Sequence, residues 1–364
     1  MKFISVLLIV YLFILLCPFN LLALAEINSK SVNKLTKTST YNSNGQDDIC
    51  FTKRQQIISK CDKLIKDNPK DVNAYIEKAC AEIYLRDSQA AIADYNQVLT
   101  IDPNNYLAYN NIGVALVGMS YYDEAIKYFT MAIKIKPNSF NAYYNRGSSY
   151  FVLSQYKKAV DDFKQAVINK PDSPRAYFSL GHAKGCLADF KGAILDYSKA
   201  IDLDPKFVRA IFNRGKAFYL TQDYDAALAD YTQAVNLNPD YVDAYYERGS
   251  LYMELSHYNR ALADFNKAID LNLDDKPDSD AYFNRGKAKF KLGFYSESIP
   301  DFNEATKLYP DFAVAFYYRG LANLKLGRNQ LAVNDFNEAL NLNPKYDAAL
   351  KERSIAYAAL DSKK

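Results

Sequence analysis

Residues 142–150 read AYYNRGSSY and open a pattern that closes at Pro171. The glycine within this segment belongs to a series with a step of 34 residues. The series comprises Gly113, Gly147, Gly181, Gly215 and Gly249, and it resumes at Gly286 and Gly320 after one step of 37. Prolines from Pro69 to Pro239 keep the 34-residue step as well. A fixed period between about 20 and 50 residues indicates a stack of similar supersecondary units.

Each unit is predicted to be a hairpin of two helices. We number its positions so that Phe140 is place 1 and Pro171 is place 32. Small or aromatic residues recur at places 4, 8 and 11 and at places 20, 24 and 27, here Tyr143, Gly147, Tyr150, Ala159, Phe163 and Ala166. Both sets follow helical spacing. The small residues at places 8 and 20 allow close approach of the helices, and proline at place 32 ends the second helix.

This spacing resembles the tetratricopeptide repeat, and the resemblance covers residues 72 to about 361, with alanine at place 3 nine times, from Ala74 to Ala349. It implies an all-α fold, a right-handed superhelical α-solenoid of stacked antiparallel helix pairs. The eight predicted repeats are 72–105, 106–139, 140–173, 174–207, 208–241, 242–278, 279–312 and 313–346. Residues 49–71 resemble a lone second helix and 347–361 a lone first helix, so both are predicted to cap the stack.

The N-terminus has the pattern of a targeting segment. A positively charged start, an apolar run from Phe3 to Cys17 and small residues near Ala25 predict a secretory signal in residues 1–25. The alternative is a membrane anchor formed by residues 3–25. Residues 26–48 are rich in Ser, Thr, Asn and Lys and are predicted to be a disordered linker. The predicted location is therefore periplasmic or secreted, or membrane-anchored if the segment is retained.

Four cysteines follow the signal segment: Cys50, Cys61, Cys80 and Cys186. In an exported protein they permit a disulfide between Cys80 and either Cys50 or Cys61. Free buried thiols are the alternative.

The repeat pattern breaks at 274–277, a candidate hinge or lateral contact, and Pro300 in a second helix predicts a bent first turn or a delayed helix start.

In the tetratricopeptide repeat family, places 2, 5, 9, 12 and 13 of the first helix line a concave groove that binds partner peptides. Place 5 carries six successive rings, which are Tyr144, Phe178, Phe212, Tyr246, Phe283 and Tyr317. They could form an aromatic ladder for a ligand, or pack only against neighbouring helices. At place 6, Asn145, Asn213 and Asn284 resemble an asparagine ladder that holds an extended peptide backbone, although asparagine could also crosslink turns locally.

Repeat 4 departs from the others on this face. Gly185 lies beside His182 and Cys186 where other repeats carry bulkier groups. A hollow walled by Phe151, Phe178, Phe212 and Tyr219 is therefore predicted to admit a ligand side chain. The helical spacing of His182 and Cys186 could hold a metal, but two ligands are too few for a zinc site.

Charge along the predicted groove is segregated by repeat. Repeats 4 and 5 are basic, with Lys216 among them, repeat 6 is acidic through Asp243, Glu247 and Glu254, and repeats 7 and 8 contribute Lys287, Lys291 and Lys325. Such blocks would set the register of a polar partner, or simply solvate the face. The overall net charge of +3 with 24% charged residues is too balanced to indicate a nucleic-acid surface.

The sequence predicts a protein without catalytic activity. It has two histidines, His182 and His257, no glycine-rich phosphate loop, and acidic residues scattered by the repeat. We therefore expect no cofactor and no metal. The predicted function is a scaffold that binds an extended or helical peptide of a partner protein, with a glycan or other polymer receptor as the alternative. The predicted partner is thus a protein or peptide, with no nucleic acid, and membrane contact only through the N-terminal segment.

Overall fold

The computed structural model describes residues 46–272 and 278–361, and the side chains from Phe51 onwards. The predicted signal segment, most of the predicted linker and the predicted hinge at 274–277 lie outside these residues. Within them the structure is all α-helical and contains no strand. It divides after Pro205 into two compact units, which are described separately.

The first unit contains nine helices among its described residues. They are α1 (Gln46–Asp67), α2 (Val72–Tyr84), α3 (Ser88–Ile101), α4 (Tyr106–Gly118), α5 (Tyr122–Ile135), α6 (Phe140–Val152), α7 (Tyr156–Asn169), α8 (Pro174–Cys186) and α9 (Phe190–Leu203). The second unit again contains nine described helices. They are α10 (Val208–Leu220), α11 (Tyr224–Leu237), α12 (Val242–Glu254), α13 (Tyr258–Leu271), α14 (Ser279–Lys291), α15 (Tyr295–Leu308), α16 (Ala313–Lys325), α17 (Asn329–Leu342) and α18 (Asp347–Asp361).

Within each unit the helices stack in chain order. Every helix packs against the next one, and the two helices of one repeat make the closest association. From α4 to α8 and from α12 to α18, each first helix also contacts the first helix of the following repeat. The predicted α-solenoid of helix pairs is therefore confirmed as a fold class. The right hand of the superhelix stays a prediction.

Close packing of each helix pair occurs where glycine at place 8 meets the ring at place 24. A Cβ built on Gly113 would lie 2.5 Å from Phe129, and one built on Gly147 would lie 3.1 Å from Phe163. Real Cβ atoms essentially never approach within 3.0 Å of such an atom. The prediction that glycine allows close approach is confirmed at this contact.

A buried ion pair also joins the two helices of most repeats, and it was not among the sequence predictions. Arginine at place 7 donates to aspartate at place 23, sixteen residues later, as in Arg146 to Asp162 at 2.7–2.8 Å. The equivalent pairs are Arg214–Asp230, Arg248–Asp264, Arg285–Asp301 and Arg319–Asp335. The aspartates are at most 6% exposed, so each depends on its guanidinium for compensation.

Two sequence predictions about local structure are corrected or resolved. The second helix that contains Pro300 begins at Tyr295, at the same place as the other second helices, so a delayed start is wrong. Pro300 is exposed and therefore directs its ring away from the core.

Cys61, Cys80 and Cys186 are free and buried, which is the alternative to a disulfide from Cys80. The side chain of Cys50 lies outside the described residues.

Candidate functional site

The predicted site residues all lie on first helices. In the first unit, Tyr144, Asn145 and Phe151 are on α6, and Phe178, His182 and Gly185 are on α8. In the second unit, α10 carries Phe212, Asn213, Lys216 and Tyr219. Tyr246 is on α12, and α14 carries Phe283 and Asn284. Their burial and contacts separate them into groups with different roles.

The place-5 rings pack against a ring of their own repeat, and three of the six are buried. Phe178, Phe212 and Phe283 are only 8%, 5% and 9% exposed. All six place-5 rings contact the place-24 ring of their own repeat, with centroid separations between 5.6 Å for Tyr144–Phe163 and 6.1 Å for Phe283–Phe302. The aromatic ladder is therefore wrong as a ligand surface at Phe178, Phe212 and Phe283, because these rings fill the core between helices.

In the second unit, the ring at place 5 is covered by a further ring at the end of the same repeat. Tyr241, Phe312 and Tyr346 precede first helices and lie 4.9 Å from Phe212, Phe283 and Tyr317, respectively. Tyr241 and Phe312 occupy N-cap positions and make no side-chain cap hydrogen bond. The aromatic residue thus replaces a polar cap with a packing contact. Its recurrence before the first helix was a signal in the sequence that would have predicted buried place-5 rings.

The asparagines of the first unit form a buried polar chain. The Asn145 side chain donates to Asn110 at 3.1 Å, Asn110 donates to Asn111 at 3.0 Å, and Asn111 donates to the Tyr95 hydroxyl at 3.1 Å. That hydroxyl lies 3.2 Å from the Cys80 thiol. The chain crosses repeats 1 to 3. Asn145 is 4% exposed, so it crosslinks repeats and is not available to a peptide backbone.

The remaining asparagines also use their amides internally. Asn213 donates to the Arg209 carbonyl at 2.8 Å, and Asn284 donates to the Tyr246 hydroxyl at 2.9 Å. Both are partly exposed. Only Asn213 therefore makes the local type of bond given above as the alternative, whereas Asn145 and Asn284 bond to the preceding repeat. The asparagine ladder is wrong for the buried Asn145.

The structure contradicts the predicted hollow in repeat 4 for the part of its wall that lies in the first unit. The His182 ring lies 5.0 Å from Phe151 and stacks on Phe178 at 5.9 Å, so the histidine itself occupies the space beside these two rings. His182 Nδ1 is 3.5 Å from the Tyr197 hydroxyl. Gly185 and Cys186 are buried as well. The other predicted walls, Phe212 and Tyr219, belong to the second unit.

Partly exposed acidic groups occupy repeats 6 and 7 of the second unit. Asp243 and Glu247 on α12 are half-buried, while Asp278 and Asp280 at the start of α14 are exposed. Burial raises the pKa of the Asp243 carboxyl, and Asp278 adds to this rise while Lys216 opposes it. Although Asp280 is exposed at the surface, partial desolvation of its carboxyl and then the charge of Asp278 raise its pKa. These carboxylates therefore oppose each other's ionisation.

Only one described cation, Lys216, forms an ion pair with this acidic group, and Lys216 Nζ is 3.6 Å from Glu247. Burial raises the pKa of Glu247, Lys216 lowers it, and Asp243 adds to the rise. Tyr219 donates to Glu254 at the end of α12. A positively charged ligand would relieve the repulsion between the carboxylates that Lys216 leaves uncompensated.

Basic groups follow on the same helices further along the stack. Lys287 on α14 is half-buried, with Nζ 5.8 Å from the Tyr318 ring centroid. Lys291 and Lys325 are exposed at the ends of α14 and α16. The second unit thus carries acidic groups on repeat 6 and the start of repeat 7, and basic groups on the end of repeat 7 and on repeat 8. We call these residues the charged inner face, after the face that lines the groove in the family: Lys216, Asp243, Glu247, Glu254, Asp278, Asp280, Lys287, Lys291 and Lys325.

Among residues 46–272 and 278–361, no group of three or more His, Cys, Asp or Glu side chains could hold a metal ion. Over the same residues, no helix is long and apolar enough to cross a membrane. The stacked helix pairs define a helical repeat protein.

Family models identify these repeats. Models described as tetratricopeptide repeat match residues 106–139, 140–173, 242–275 and 283–347, and a further TPR repeat model matches 87–120, 189–222 and 215–256. The chain belongs to the tetratricopeptide repeat family. No curated protein has a sequence that matches the chain significantly.

Solved structures show similarity in fold. A tetratricopeptide repeat protein from Parabacteroides merdae is 22% identical, and the match covers 69% of this chain and 98% of that protein with a TM-score of 0.50. The Cut9–Hcn1 hetero-tetramer of the APC/C matches at 18% identity over 86% of this chain and 60% of that chain, with a TM-score of 0.49. YrrB, described as a TPR protein with an unusual peptide-binding site, matches at 24% identity over 50% of this chain and 93% of its own, with a TM-score of 0.45.

Proposed function

We propose that the protein is a non-catalytic interaction scaffold whose charged inner face binds a polar segment of a partner protein. The single observation that carries this proposal is the acidic group of Asp243, Glu247 and Asp280, in which Lys216 with Glu247 is the one ion pair among the described residues. Membership of the tetratricopeptide repeat family supports a binding role. The partner segment is an extended or helical peptide in this proposal.

The recognition is electrostatic, because Phe178, Phe212, Phe283 and Asn145, which were candidate ligand contacts, are buried. A cationic part of the partner would face Asp243, Glu247 and Asp280, and an anionic part would face Lys287 and the exposed lysines beyond it. Complementary charge blocks fix register and speed association more than they add affinity. The proposal therefore predicts binding that depends on the order of charges and weakens with salt.

The glycan alternative depends on exposed ring faces for stacking. Phe178, Phe212 and Phe283 are buried, so they offer little surface to a sugar ring. We retain the protein or peptide partner for that reason. Export of the chain through residues 1–25, to the periplasm or the exterior, is part of the proposal and is supported by the apolar run that follows Lys2.

A block-charged peptide provides the test. The probe is a fluorescent peptide with four lysines, a Gly-Ser-Gly spacer and four glutamates, together with its reversed order, and the comparison peptide has the same composition with alternating charges. Fluorescence anisotropy at low salt should show tighter binding of at least one block peptide than of the alternating peptide. Equal affinity for all three peptides would contradict the proposal.

Charge-neutral variants test whether the peptide binds at the charged inner face. The double variant Asp243→Asn with Asp280→Asn should weaken binding of the block peptide about tenfold, equivalent to ~1.4 kcal/mol for two lost charge contacts. The matched control is Asp270→Asn with Glu338→Gln, which removes two exposed carboxylates from second helices. An equal loss in the control would show that net charge, and not this face, determines the affinity.

A further inference from the structure

At place 11, repeat 1 carries an acidic side chain, whereas repeats 4, 7 and 8 carry a hydrogen-bond donor that contacts the buried aspartate of the same repeat. At place 11, Lys184 contacts Asp196 at 2.7 Å, Lys289 contacts Asp301 at 2.8 Å, and Asn323 donates to Asp335 at 2.9 Å. Each of these aspartates is at place 23 of its repeat. The place-11 side chain therefore points towards the place-23 carboxylate. In repeat 1 these positions are Glu82 and Asp94, which are two acids.

The Glu82 carboxyl is buried without full compensation. Glu82 is 6% exposed, and among the described residues its Oε2 atom has no hydrogen-bond partner, while Asp94 Oδ2 lies 3.3 Å from Lys78 Nζ. Carboxyls at places 11 and 23 face each other, and they satisfy each other when one of them is protonated, because the protonated group then donates to the other. Ionisation of both leaves two negative charges together in a buried position.

The surrounding charges leave the pair with an excess of negative charge. Lys78 Nζ lies 3.0 Å from Asp62, 3.3 Å from Asp94 and 3.9 Å from Glu82, so one ammonium serves three carboxylates. Asp62 comes from α1, Asp94 from α3, and Asp87 at the start of α3 adds a further negative charge. Helix α4 carries no Asp, Glu, Lys, Arg or His. The Lys78 bridge also ties α1 to repeat 1.

We propose that Glu82 and Asp94 share one proton and thereby form a pH-sensitive switch that loosens α1, α2 and α3 when the shared proton is lost. Protonated, the pair joins α2 to α3 by a hydrogen bond and leaves Lys78 to hold Asp62. Deprotonated, the two carboxylates repel each other across the α2–α3 contact and compete for the same ammonium. The device controls the end of the stack that adjoins the N-terminal segment.

The direction of the pH dependence follows from linkage. Burial first, and then the Asp94 charge, raise the pKa of Glu82 from 4.5 to about 7. Between these two values the folded state keeps a proton that the unfolded state has lost, so stability of this region falls as pH rises. Below 4.5 both states hold the proton, and above about 7 neither does, so the dependence on this group ends at both limits.

Hydrogen exchange of the full chain measures the switch locally. After correction for intrinsic exchange, the opening constant of amides in α2 and α3 should increase by up to about tenfold for each pH unit between 4.5 and about 7. Glu82→Gln should abolish this increase, because an amide donates to Asp94 at every pH, as Asn323 does to Asp335. Glu82→Lys reproduces the arrangement of Lys289 on Asp301 and should behave in the same way.

A second measurement does not require a variant to fold. Carbon-13 NMR of the Glu82 side-chain carboxyl in the unaltered protein should show a titration midpoint more than one pH unit above 4.5. The proposal is overturned by a midpoint near 4.5, or by equal pH dependence of exchange in the unaltered protein and the Glu82→Gln variant.

Discussion

At the residue scale, a side chain on the opposite helix is the reason that place 8 requires glycine. Gly113 lies in a regular helix, so its backbone conformation does not demand glycine. The ring of Phe129 does, because an added Cβ would meet three of its atoms at 2.5–2.8 Å. Gly118 on the same helix lacks such a neighbour, since its nearest contact is Ser88 Oγ at 3.4 Å.

These two glycines on α4 allow a matched comparison. Gly113→Ala should lower the free energy of unfolding by about 1–3 kcal/mol, because the buried ring must move or leave its rotamer. Gly118→Ala should leave stability unchanged or raise it by less than ~1 kcal/mol, since alanine favours helix. Denaturant unfolding monitored by circular dichroism measures both. An equal effect of the two substitutions would show that ring contact does not explain the glycine series.

Residue spacing predicted which places pack, but not which polar groups are internal. The period placed Asn145 and Phe178 on the face that lines the groove in the family. The structure buries both side chains, Asn145 through its bond to Asn110 and Phe178 through its contact with Tyr197. A position on a helix face gives the direction of a side chain, whereas burial depends on what the neighbouring repeats place opposite it. Burial of a side chain therefore cannot be predicted from the sequence of its own repeat alone.

At the element scale, the buried arginine–aspartate pair holds the two helices of a repeat together. Arg248 Nε and Arg248 Nη2 donate to the two Asp264 oxygens at 2.8 and 2.7 Å. Its remaining nitrogen donates to Thr232 at 3.1 Å in the preceding repeat. One side chain therefore links three helices, since Thr232 lies on α11, Arg248 on α12 and Asp264 on α13.

Removing this guanidinium should be costly. Arg248→Met keeps much of the apolar stem but leaves Asp264, which is 5% exposed, without its partner. We expect a loss of about 3 kcal/mol in the free energy of unfolding, the low end of the range for breaking a buried pair. Lys307→Met is the control, because Lys307 is 73% exposed in its pair with Glu304 and should change stability by less than ~0.5 kcal/mol. A similar small change at Arg248 in urea unfolding would contradict this role.

The helix pairs were predictable because small residues, rings and prolines share one period. The ion pairs have the same period, with arginine at 146, 214, 248, 285 and 319 and aspartate sixteen residues later. A search restricted to apolar positions overlooks them, although the sequence contains the signal. The aromatic residues before first helices, such as Tyr241 and Phe312, are a second signal of this kind.

At the scale of the whole molecule, repetition determines the fold, whereas the proposed binding depends on departures from repetition. Eight repeats supply the same core contacts, so the fold class could be predicted from the period alone. Charges on the inner face differ from repeat to repeat, so the period does not predict them. Asp243 and Asp280 occupy the same place in repeats 6 and 7, and their pKa values are raised by burial and then by the charge of Asp278, which only the three-dimensional structure shows.

The two units carry different features. The first unit has a buried polar chain from Asn145 to Cys80 and the carboxyl pair of Glu82 and Asp94, both internal to the stack. The second unit has the charged inner face, whose members are half-buried or exposed. The expected separation of roles is therefore pH-sensitive order in the first unit and partner binding in the second.

Photo-crosslinking with the tighter-binding block-charged peptide tests the central claim most directly. The peptide carries a benzophenone group, and mass spectrometry identifies the protein residues to which it becomes attached. The account predicts attachment to α12, α14 and α16, at residues adjoining Asp243, Asp280 and Lys287. Attachment concentrated on the second helices α13, α15 and α17, or spread evenly over the protein, would contradict it.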